Sequence, residues 1–232
     1  MYNYKFEKGH CIIDIDGNKW FLDNGSPYTF SFDDDETHII IDNNTIRLKS
    51  NPGFRREAVE SAIGKKIKGI IGTDILSKSS FSIYNNNQME FKANVNKETI
   101  ENSIDFEMIN NAIIFKAKIE NQLVNVLFDS GAAINYLLPN VFRSGIGDEV
   151  IKDIDSSGQV IESNHCMAIT YLGNKQCKLN FGVPMDNYCK PMQVMSYYSC
   201  SAIIGLYDFY YKNPIFSEYF LMDYENKKIY IK

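Results

Sequence analysis

Long hydrophobic runs, a basic surface and closely spaced cysteines are all missing from this 232-residue chain. Its apolar runs are far too short to span a bilayer, so no membrane partner is expected. The net charge is −5 and no basic patch or stripe occurs, which argues against nucleic acid as a partner. A Gly-rich phosphate loop is also missing, and the 3 histidines stand in no nucleophile motif, so triad hydrolysis is not supported.

The 5 cysteines are widely spaced and include no Cys-x-x-Cys pair, so neither a zinc site nor any other metal or cofactor is expected. An odd number of cysteines is typical of free thiols in a reducing compartment. One or two disulfides in the second half of the chain, which carries four of the cysteines, remain the alternative. Met1–Lys8 has no apolar signal region, which predicts a cytoplasmic protein and leaves a secreted or processed form open.

What the chain does contain is one signature that occurs twice. An apolar stretch runs into an acidic turn at Trp20–Ser26, and another does so at Val126–Ala132. Each turn is followed later in the chain by two apolar residues and a glycine, at Ile70–Gly72 and at Ile203–Gly205. The 15 Tyr and 15 Phe favour a mostly β protein, because large aromatic side chains suit cross-strand packing.

The repeat extends to the flanking segments. Each acidic turn follows a predicted hairpin, and each apolar-Gly signature precedes another, so both halves share one order of parts. The middles differ: the first has a predicted hairpin at 38–48 and a short helix at 55–62, the second a predicted hairpin at 168–181. This pattern of gene duplication predicts an N-terminal lobe at 1–92, a linker at 93–110 and a C-terminal lobe at 111–232.

Two equivalent carboxylates on tight turns have a chemical consequence if the lobes pack symmetrically. Asp23 and Asp129 would then meet at the interface between the lobes. Two carboxyl groups at hydrogen-bonding distance share a proton, because both cannot ionise cheaply. The ionised group can accept a proton from water while the protonated one donates to a carbonyl oxygen, which is general acid–base hydrolysis of an amide.

These residues resemble the motifs of the pepsin-like and retropepsin-like aspartic peptidases. That family has an apolar-apolar-Asp-Thr/Ser-Gly-Ala/Ser motif and a later apolar-apolar-Gly that packs against it in a ψ-shaped loop. Leu127–Ala132 matches the first motif at every position, and Phe21–Ser26 matches except at Asn24. The resemblance covers nearly the whole chain apart from the linker and the middles. It implies two homologous retropepsin-like β-barrel lobes in a compact, pepsin-like bilobal acid-protease fold.

The resemblance also implies a role for each matching position. Asp23 and Asp129 would be the catalytic dyad that holds the attacking water. Gly25 and Gly131 would let the backbone turn beneath the dyad and contribute amides to it. Ser130 would lock the two dyad loops together across the interface. The residues implied in ψ-loop packing are Ile71, Gly72, Ile204 and Gly205.

Three positions carry further expectations. Asn24 replaces the Thr or Ser that joins the loops, and its amide supplies both a donor and an acceptor in place of a hydroxyl. Ser26 is expected to hydrogen-bond the outer oxygen of Asp23, which would make Asp23 the more readily ionised member. Tyr171 is the candidate for a flap over the cleft, although ordinary strand packing of this tyrosine is the favoured alternative.

The sequence therefore predicts an aspartic endopeptidase that hydrolyses peptide bonds. Its partner would be a peptide or protein substrate, held extended in the cleft between the lobes. A monomer is expected, because both catalytic halves lie in one chain. The alternative is a catalytically inactive pepsin-like module that binds peptides or proteins, and Asn24 is the residue that favours it.

Overall fold

The structure is a computed structural model that describes residues 1–78, 80–92, 100–142, 147–210 and 218–232. Strands dominate it, which confirms the predicted mostly β class. The elements before residue 93 are β1 (Tyr2–Glu7), β2 (His10–Ile15), β3 (Asn18–Leu22), β4 (Phe30–Ser31), β5 (His38–Ile41), β6 (Asn44–Arg47), α1 (Arg56–Ile63), β7 (Gly69–Ile71), α2 (Thr73–Leu76), β8 (Phe81–Tyr84) and β9 (Gln88–Phe91).

The elements after residue 99 follow a similar order. They are β10 (Asn102–Ile109), β11 (Ala112–Ile119), β12 (Gln122–Asp129), β13 (Asn135–Leu137), β14 (Val150–Ile154), β15 (Val160–Leu172), β16 (Lys175–Pro184), α3 (Lys190–Tyr197), β17 (Ala202–Gly205), α4 (Leu206–Tyr210), β18 (Tyr219–Asp223) and β19 (Lys228–Ile231).

The two halves repeat the same strand pairings. In the first, β1, β2 and β3 are antiparallel neighbours, β3 runs parallel to β7, and β4 lies antiparallel on the other side of β7. In the second, β10, β11, β12, β17 and β13 repeat these relations in the same directions. The duplication inferred from the sequence is therefore present in the strand pairing.

Hairpins form where turn residues separate the apolar runs. The β2–β3 turn contains Asp16 and Gly17, both at positive φ, and such a conformation suits Gly and Asp better than most residues. The predicted closing hairpins are present as β8–β9 and β18–β19, and the hairpins of the two middles as β5–β6 and β15–β16. Helix α1 occupies the predicted segment and ends at Gly64, which adopts the left-handed conformation.

The halves are joined by strand pairing as well as by packing. β8 of the first half pairs antiparallel with β18 of the second. Phe81 of β8 packs on Phe220 of β18, whose ring stacks at 5.7 Å on that of Phe128, the residue just before the second acidic turn. One apolar core cluster draws buried residues from both halves, so the two acidic turns are fixed on a shared core.

The predicted linker at 93–110 is too long. Residues 93–99 lie outside the described residues, whereas β10 occupies 102–109 and pairs with two other strands. Ile104 and Phe106 of β10 are buried in the core, which is why this polar-looking segment is a strand. No helix among the residues that the structure describes is long and apolar enough to cross a membrane.

Candidate active site

Each acidic turn is held by a strand that passes beside it. The backbone N–H of Asp23 donates to the carbonyl of Ile71 at 3.0 Å, and Asp129 lies opposite Gly205 in the parallel pairing of β12 and β17. A Cβ atom added to Gly205 would lie 2.2 Å from the carbonyl oxygen of Ala132, and one on Gly72 would lie 2.5 Å from that of Tyr28. Only glycine fits at these two positions, because the backbone of each turn runs directly over them.

The other members of the predicted ψ-loop set, Ile71 and Ile204, are fully buried beside their turns. The structure therefore brings together all four residues of this set with the two acidic turns. The apolar side chains fix the strands in the core, and the glycines allow the turns to approach them.

The two carboxyl groups converge on the same point between the halves. A Cβ added to Gly25 would lie 2.9 Å from Oδ1 of Asp23 and 3.0 Å from Oδ1 of Asp129. One added to Gly131 would lie 2.4 Å from Oδ1 of Asp23. Each carboxyl group accepts from the glycine two residues later, with the Gly25 N–H at 2.8 Å from Asp23 and the Gly131 N–H at 2.9 Å from Asp129. Both glycines thus leave space for the carboxyl groups and donate amides to them.

The electrostatics of the pair favour a shared proton. Burial and the charge of Asp129 raise the pKa of Asp23 well above its usual value. Burial also raises the pKa of Asp129, while the N–H of Gly131 and a hydrogen bond from Asp23 oppose that rise. Because both pKa values are raised, the two carboxyl groups retain one proton that they share.

Asn24 and Ser130 exchange hydrogen bonds between the two loops. The hydroxyl of Ser130 accepts from the backbone N–H of Asn24 at 2.9 Å and donates to the carbonyl of Leu22 at 3.3 Å. The amide of Asn24 makes the equivalent contacts: Nδ2 donates to the carbonyl of Phe128 at 3.0 Å, and Oδ1 accepts from the backbone N–H of Ser130. Asn24 therefore makes the same two kinds of contact as the hydroxyl on the other loop.

We expect Asn24→Ala to lower the free energy of unfolding by about 2–4 kcal/mol, since it removes two hydrogen bonds and leaves the buried N–H of Ser130 unpaired. Urea denaturation monitored by tryptophan fluorescence would measure this change. Asn44→Ala is the matched control, because the side chain of Asn44 bonds only its own exposed turn. An equal loss of stability in both variants would contradict the bridging role of Asn24.

Ser26 does not act as predicted. Its hydroxyl donates to the carbonyl of Tyr28 at 2.8 Å instead of reaching the outer oxygen of Asp23. The prediction that this hydroxyl makes Asp23 the more readily ionised member is therefore wrong. The turn residue folds its side chain back onto its own backbone, which is a common use of serine in tight turns.

Asp74 and Asp208, which follow the two apolar-Gly signatures, also bind the turns. Oδ1 of Asp74 accepts from both the backbone N–H and the hydroxyl of Thr29 at 2.8 Å, and Asp208 accepts from the side-chain amide of Asn135. Thr29 and Asn135 in turn accept the N–H groups of the ψ-loop glycines at 2.9 Å. Sequence reasoning missed these supporting hydrogen bonds around the turns. The aspartate that follows each apolar-Gly signature was the feature of the sequence that could have indicated them.

A cavity of about 640 Å³ lies between the halves, and both dyad residues line it. Helix α1 contributes the apolar side chains of Val59, Ala62 and Ile63 to one side. Helix α3, which the sequence did not reveal, contributes Pro191 and Val194 to the lining. Proline at the start of α3 was the available signal for this helix.

A hairpin from the second half reaches the first half beside this cavity. The turn between β14 and β15 accepts two hydrogen bonds from Arg55, with its backbone N–H 3.3 Å from the carbonyl of Ser156 and Nη1 3.2 Å from that of Ser157. Asp153 and Ile154 of the same hairpin line the cavity. The β14–β15 hairpin therefore bridges the two halves at the cavity, whereas the sequence had indicated no strand at β14.

Tyr171, the candidate for a flap, does not lie in the turn of the β14–β15 hairpin. It lies near the other end of β15, where it pairs with Gln176 of β16 and with Lys118 of β11. The ammonium group of Lys118 lies 5.4 Å from the centre of its ring. Tyr171 is not among the residues that line the cavity, so the structure supports the alternative of ordinary strand packing.

No family model matches the chain, and no curated protein matches its sequence significantly. The site is therefore defined by its own geometry. In that geometry Asp23, Asn24, Gly25, Asp129 and Gly131, all predicted from the sequence, line one cavity together.

Sequence reasoning missed three polar residues in the same cavity lining, His10, Tyr136 and Asp153. The hydroxyl of Tyr136 donates to Oδ2 of Asp153 at 2.7 Å. The ring of His10 is buried, and its Nδ1 lies 3.0 Å from the carbonyl oxygen of Gly131. No repeated motif marks these residues, so only their position in the folded chain identifies them.

The raised pKa values of the dyad predict how stability depends on pH. A carboxyl group with a raised folded-state pKa stabilises the fold below its unfolded pKa of about 4, and this contribution is lost as pH rises through the folded value. Wild type should therefore lose stability relative to Asp23→Asn between pH 4 and 7, by up to about 1.4 kcal/mol per pH unit. Urea denaturation at pH 4, 5, 6 and 7 measures this difference.

Asp14→Asn serves as the control for this series. A hydrogen bond from Lys19 lowers the pKa of Asp14, so its contribution is present above the unfolded pKa and changes only at lower pH. The difference between wild type and Asp14→Asn should stay constant from pH 5 to 7. A constant difference for Asp23→Asn as well would contradict the raised pKa of the dyad.

Proposed function

We propose that this protein is an aspartic endopeptidase with a two-lobed, pepsin-like fold built from two retropepsin-like β lobes. The single observation that carries the proposal is the convergence of the Asp23 and Asp129 carboxyl groups in a cavity between two equivalent halves. Each carboxyl group lies on the same kind of turn and accepts a hydrogen bond from the backbone N–H of the glycine two residues later. Such a pair can divide the roles of acid and base between its members.

In the proposed mechanism Asp129 is the base and Asp23 the acid. The ionised carboxylate of Asp129 accepts a proton from a water molecule, and the oxygen of that water bonds to the carbonyl carbon of the substrate. Asp23 donates its proton to the carbonyl oxygen, which gives a tetrahedral diol. Asp129 then gives the proton it took from water to the nitrogen, while Asp23 recovers a proton from a hydroxyl of the diol. The C–N bond breaks, and an amine and a carboxylic acid are released.

The substrate would be a peptide or protein segment that lies extended in the cavity, since apolar side chains of α1 and α3 line it around the dyad. We also propose that the protein acts as a monomer in the cytoplasm, with no metal or cofactor, as the sequence indicates.

The inactive binding module is the weaker proposal. It relied on Asn24 as a defective replacement for Thr or Ser. The amide of Asn24 makes both bonds that an equivalent hydroxyl would make, to the carbonyl of Phe128 and the N–H of Ser130. The cavity beside the dyad is also open, with a volume of about 640 Å³. Both observations favour the enzyme.

Cleavage of a mixed peptide library between pH 3 and 7 tests the proposal. The reaction is run with and without a statine inhibitor, whose hydroxyl imitates the tetrahedral diol. Cleavage that the inhibitor blocks would support an aspartic peptidase. The absence of cleavage at every pH, with a folded protein, would favour the binding module instead.

A further inference from the structure

One wall of the cavity carries a carboxylate outside the dyad. Oδ2 of Asp153 accepts from the hydroxyl of Tyr136 at 2.7 Å, and Oδ1 accepts from the backbone N–H of Ile154 at 2.8 Å. Both donors are uncharged, so they orient the carboxylate without neutralising it. The salt bridges among the described residues do not include Asp153, and the Lys190 side chain in the cavity lining forms none with it.

The ring of His10 presents a second acceptor to the same cavity. His10 is 7% exposed, and its Nδ1 lies 3.0 Å from the carbonyl of Gly131. A carbonyl oxygen only accepts, so Nδ1 carries the hydrogen, and Nε2 of the neutral ring is left as an acceptor. No hydrogen bond to Nε2 occurs among the residues that the structure describes. Burial lowers the pKa of His10, which keeps the ring neutral.

Asp153 and His10 line the same cavity as the dyad. The charge of Asp153 opposes the lowering of the His10 pKa by burial and adds to the raised pKa of Asp129. The hydroxyl of Tyr136 also carries acceptor lone pairs. All three side chains therefore offer acceptors, and the two donors of the group are already used, the Tyr136 hydroxyl by Asp153 and the Nδ1–H of His10 by the carbonyl of Gly131.

His10 has no polar counterpart in the second half. Ile12 pairs with Phe21, two residues before Asp23, and Ile114 pairs with Leu127, two residues before Asp129. The residue equivalent to His10 is therefore Ala112, which also lines the cavity. The two sides of the dyad consequently differ in chemistry, so a bound peptide has a defined direction.

We propose that Asp153, Tyr136 and His10 form a subsite for a cationic side chain, arginine or lysine, of the substrate peptide. The inference rests on the proposed function for the peptide that occupies the cavity. A guanidinium carries five N–H donors and no acceptor, and an ammonium carries three, so each complements a site made of acceptors around one uncompensated carboxylate. Asp153 is the specificity-determining residue of this subsite.

Binding of short peptides tests the subsite without relying on cleavage. Octapeptides with blocked termini carry one arginine, which is moved through all eight positions, and a matched series carries citrulline, its uncharged analogue. The Asp129→Asn protein is used so that no peptide is cleaved and the dyad charge is absent. We expect calorimetry at pH 6 to show about tenfold tighter binding of arginine than citrulline at one position, since a charged hydrogen bond is gained there.

Adding Asp153→Asn should reduce this preference to about twofold or less, because the amide keeps the shape of the side chain and loses its charge. Asp153→Ser takes its place if the asparagine variant does not fold. Asp105→Asn is the matched control: Asp105 is exposed, pairs with Lys228 and is not among the residues that line the cavity, so the preference for arginine should remain.

An arginine preference that survives Asp153→Asn, or none at any position, would overturn the subsite. Failure of the proposed function gives a different result. Arginine-selective binding by a wild-type protein that cleaves no peptide would keep the subsite and remove the peptidase. Cleavage without a preference for basic residues would keep the peptidase and remove the subsite.

Discussion

Asp129→Asn is expected to lower the rate of peptide cleavage by about 10⁴-fold or more while the protein stays folded, in keeping with the loss of a residue that works as part of a catalytic unit. An amide cannot accept a proton from water, so the attacking nucleophile is no longer formed. The amide oxygen can still accept the N–H of Gly131, which lies 2.9 Å from Oδ1 of Asp129. Initial rates on a fluorogenic peptide at saturating concentration would measure the effect.

The control for this variant is Asp105→Asn. The carboxylate of Asp105 is 84% exposed and pairs with Lys228 on the surface, so its replacement should change neither activity nor the circular dichroism spectrum. Cleavage by Asp129→Asn at the wild-type rate, with equal sensitivity to statine, would refute the dyad. Loss of activity together with loss of the β spectrum would require Asp23→Asn to be measured in its place.

Gly205→Ala is expected to lower the free energy of unfolding by about 3 kcal/mol, as overpacking at a rigid site does. The added methyl carbon would lie 2.2 Å from the carbonyl oxygen of Ala132, so one backbone segment must move. Gly205 pairs with Asp129, and a displacement of about 1 Å at the dyad would cost on the order of 100-fold in rate. Thermal denaturation should show a midpoint lower by about 10 °C.

Gly147→Ala provides the same chemical change at an exposed position. An added Cβ there would lie 3.3 Å from the carbonyl oxygen of His165, so a small shift accommodates it. We expect a stability change within about 0.5 kcal/mol for this control. Equal denaturation midpoints for Gly205→Ala and wild type would mean that the second turn does not press on β17 as described.

The two halves share a scaffold and differ in what they add to it. The first half inserts the small hairpin β5–β6 and helix α1, and the second inserts the longer strands β14 to β16 and helix α3. The second half extends the β14–β15 hairpin across to the first, where its turn contacts Arg55. The symmetry of the dyad and the asymmetry of the cavity therefore arise from different parts of the chain.

The sequence by itself determined the features that depend on neighbours in the chain. Alternating apolar residues and turn residues such as Asp16-Gly17 identified the hairpins, because strand periodicity and positive φ are local properties. The repeated signature identified the two acidic turns and the glycines that pass beneath them. Helix α1 was recognisable for the same reason, because neighbouring residues in the sequence determine where it begins and where it ends at Gly64.

Only the tertiary structure decided the features that join distant residues. The bridge between Asn24 and Ser130 spans 106 positions, and that between His10 and Gly131 spans 121. β10 looked like a linker because its polar residues alternate with core residues, and its pairing with β19 made it a strand. The presence of His10 and Asp153 in one cavity lining depends on how both halves pack. Local preference cannot encode such contacts, since each arises only once the other half is in place.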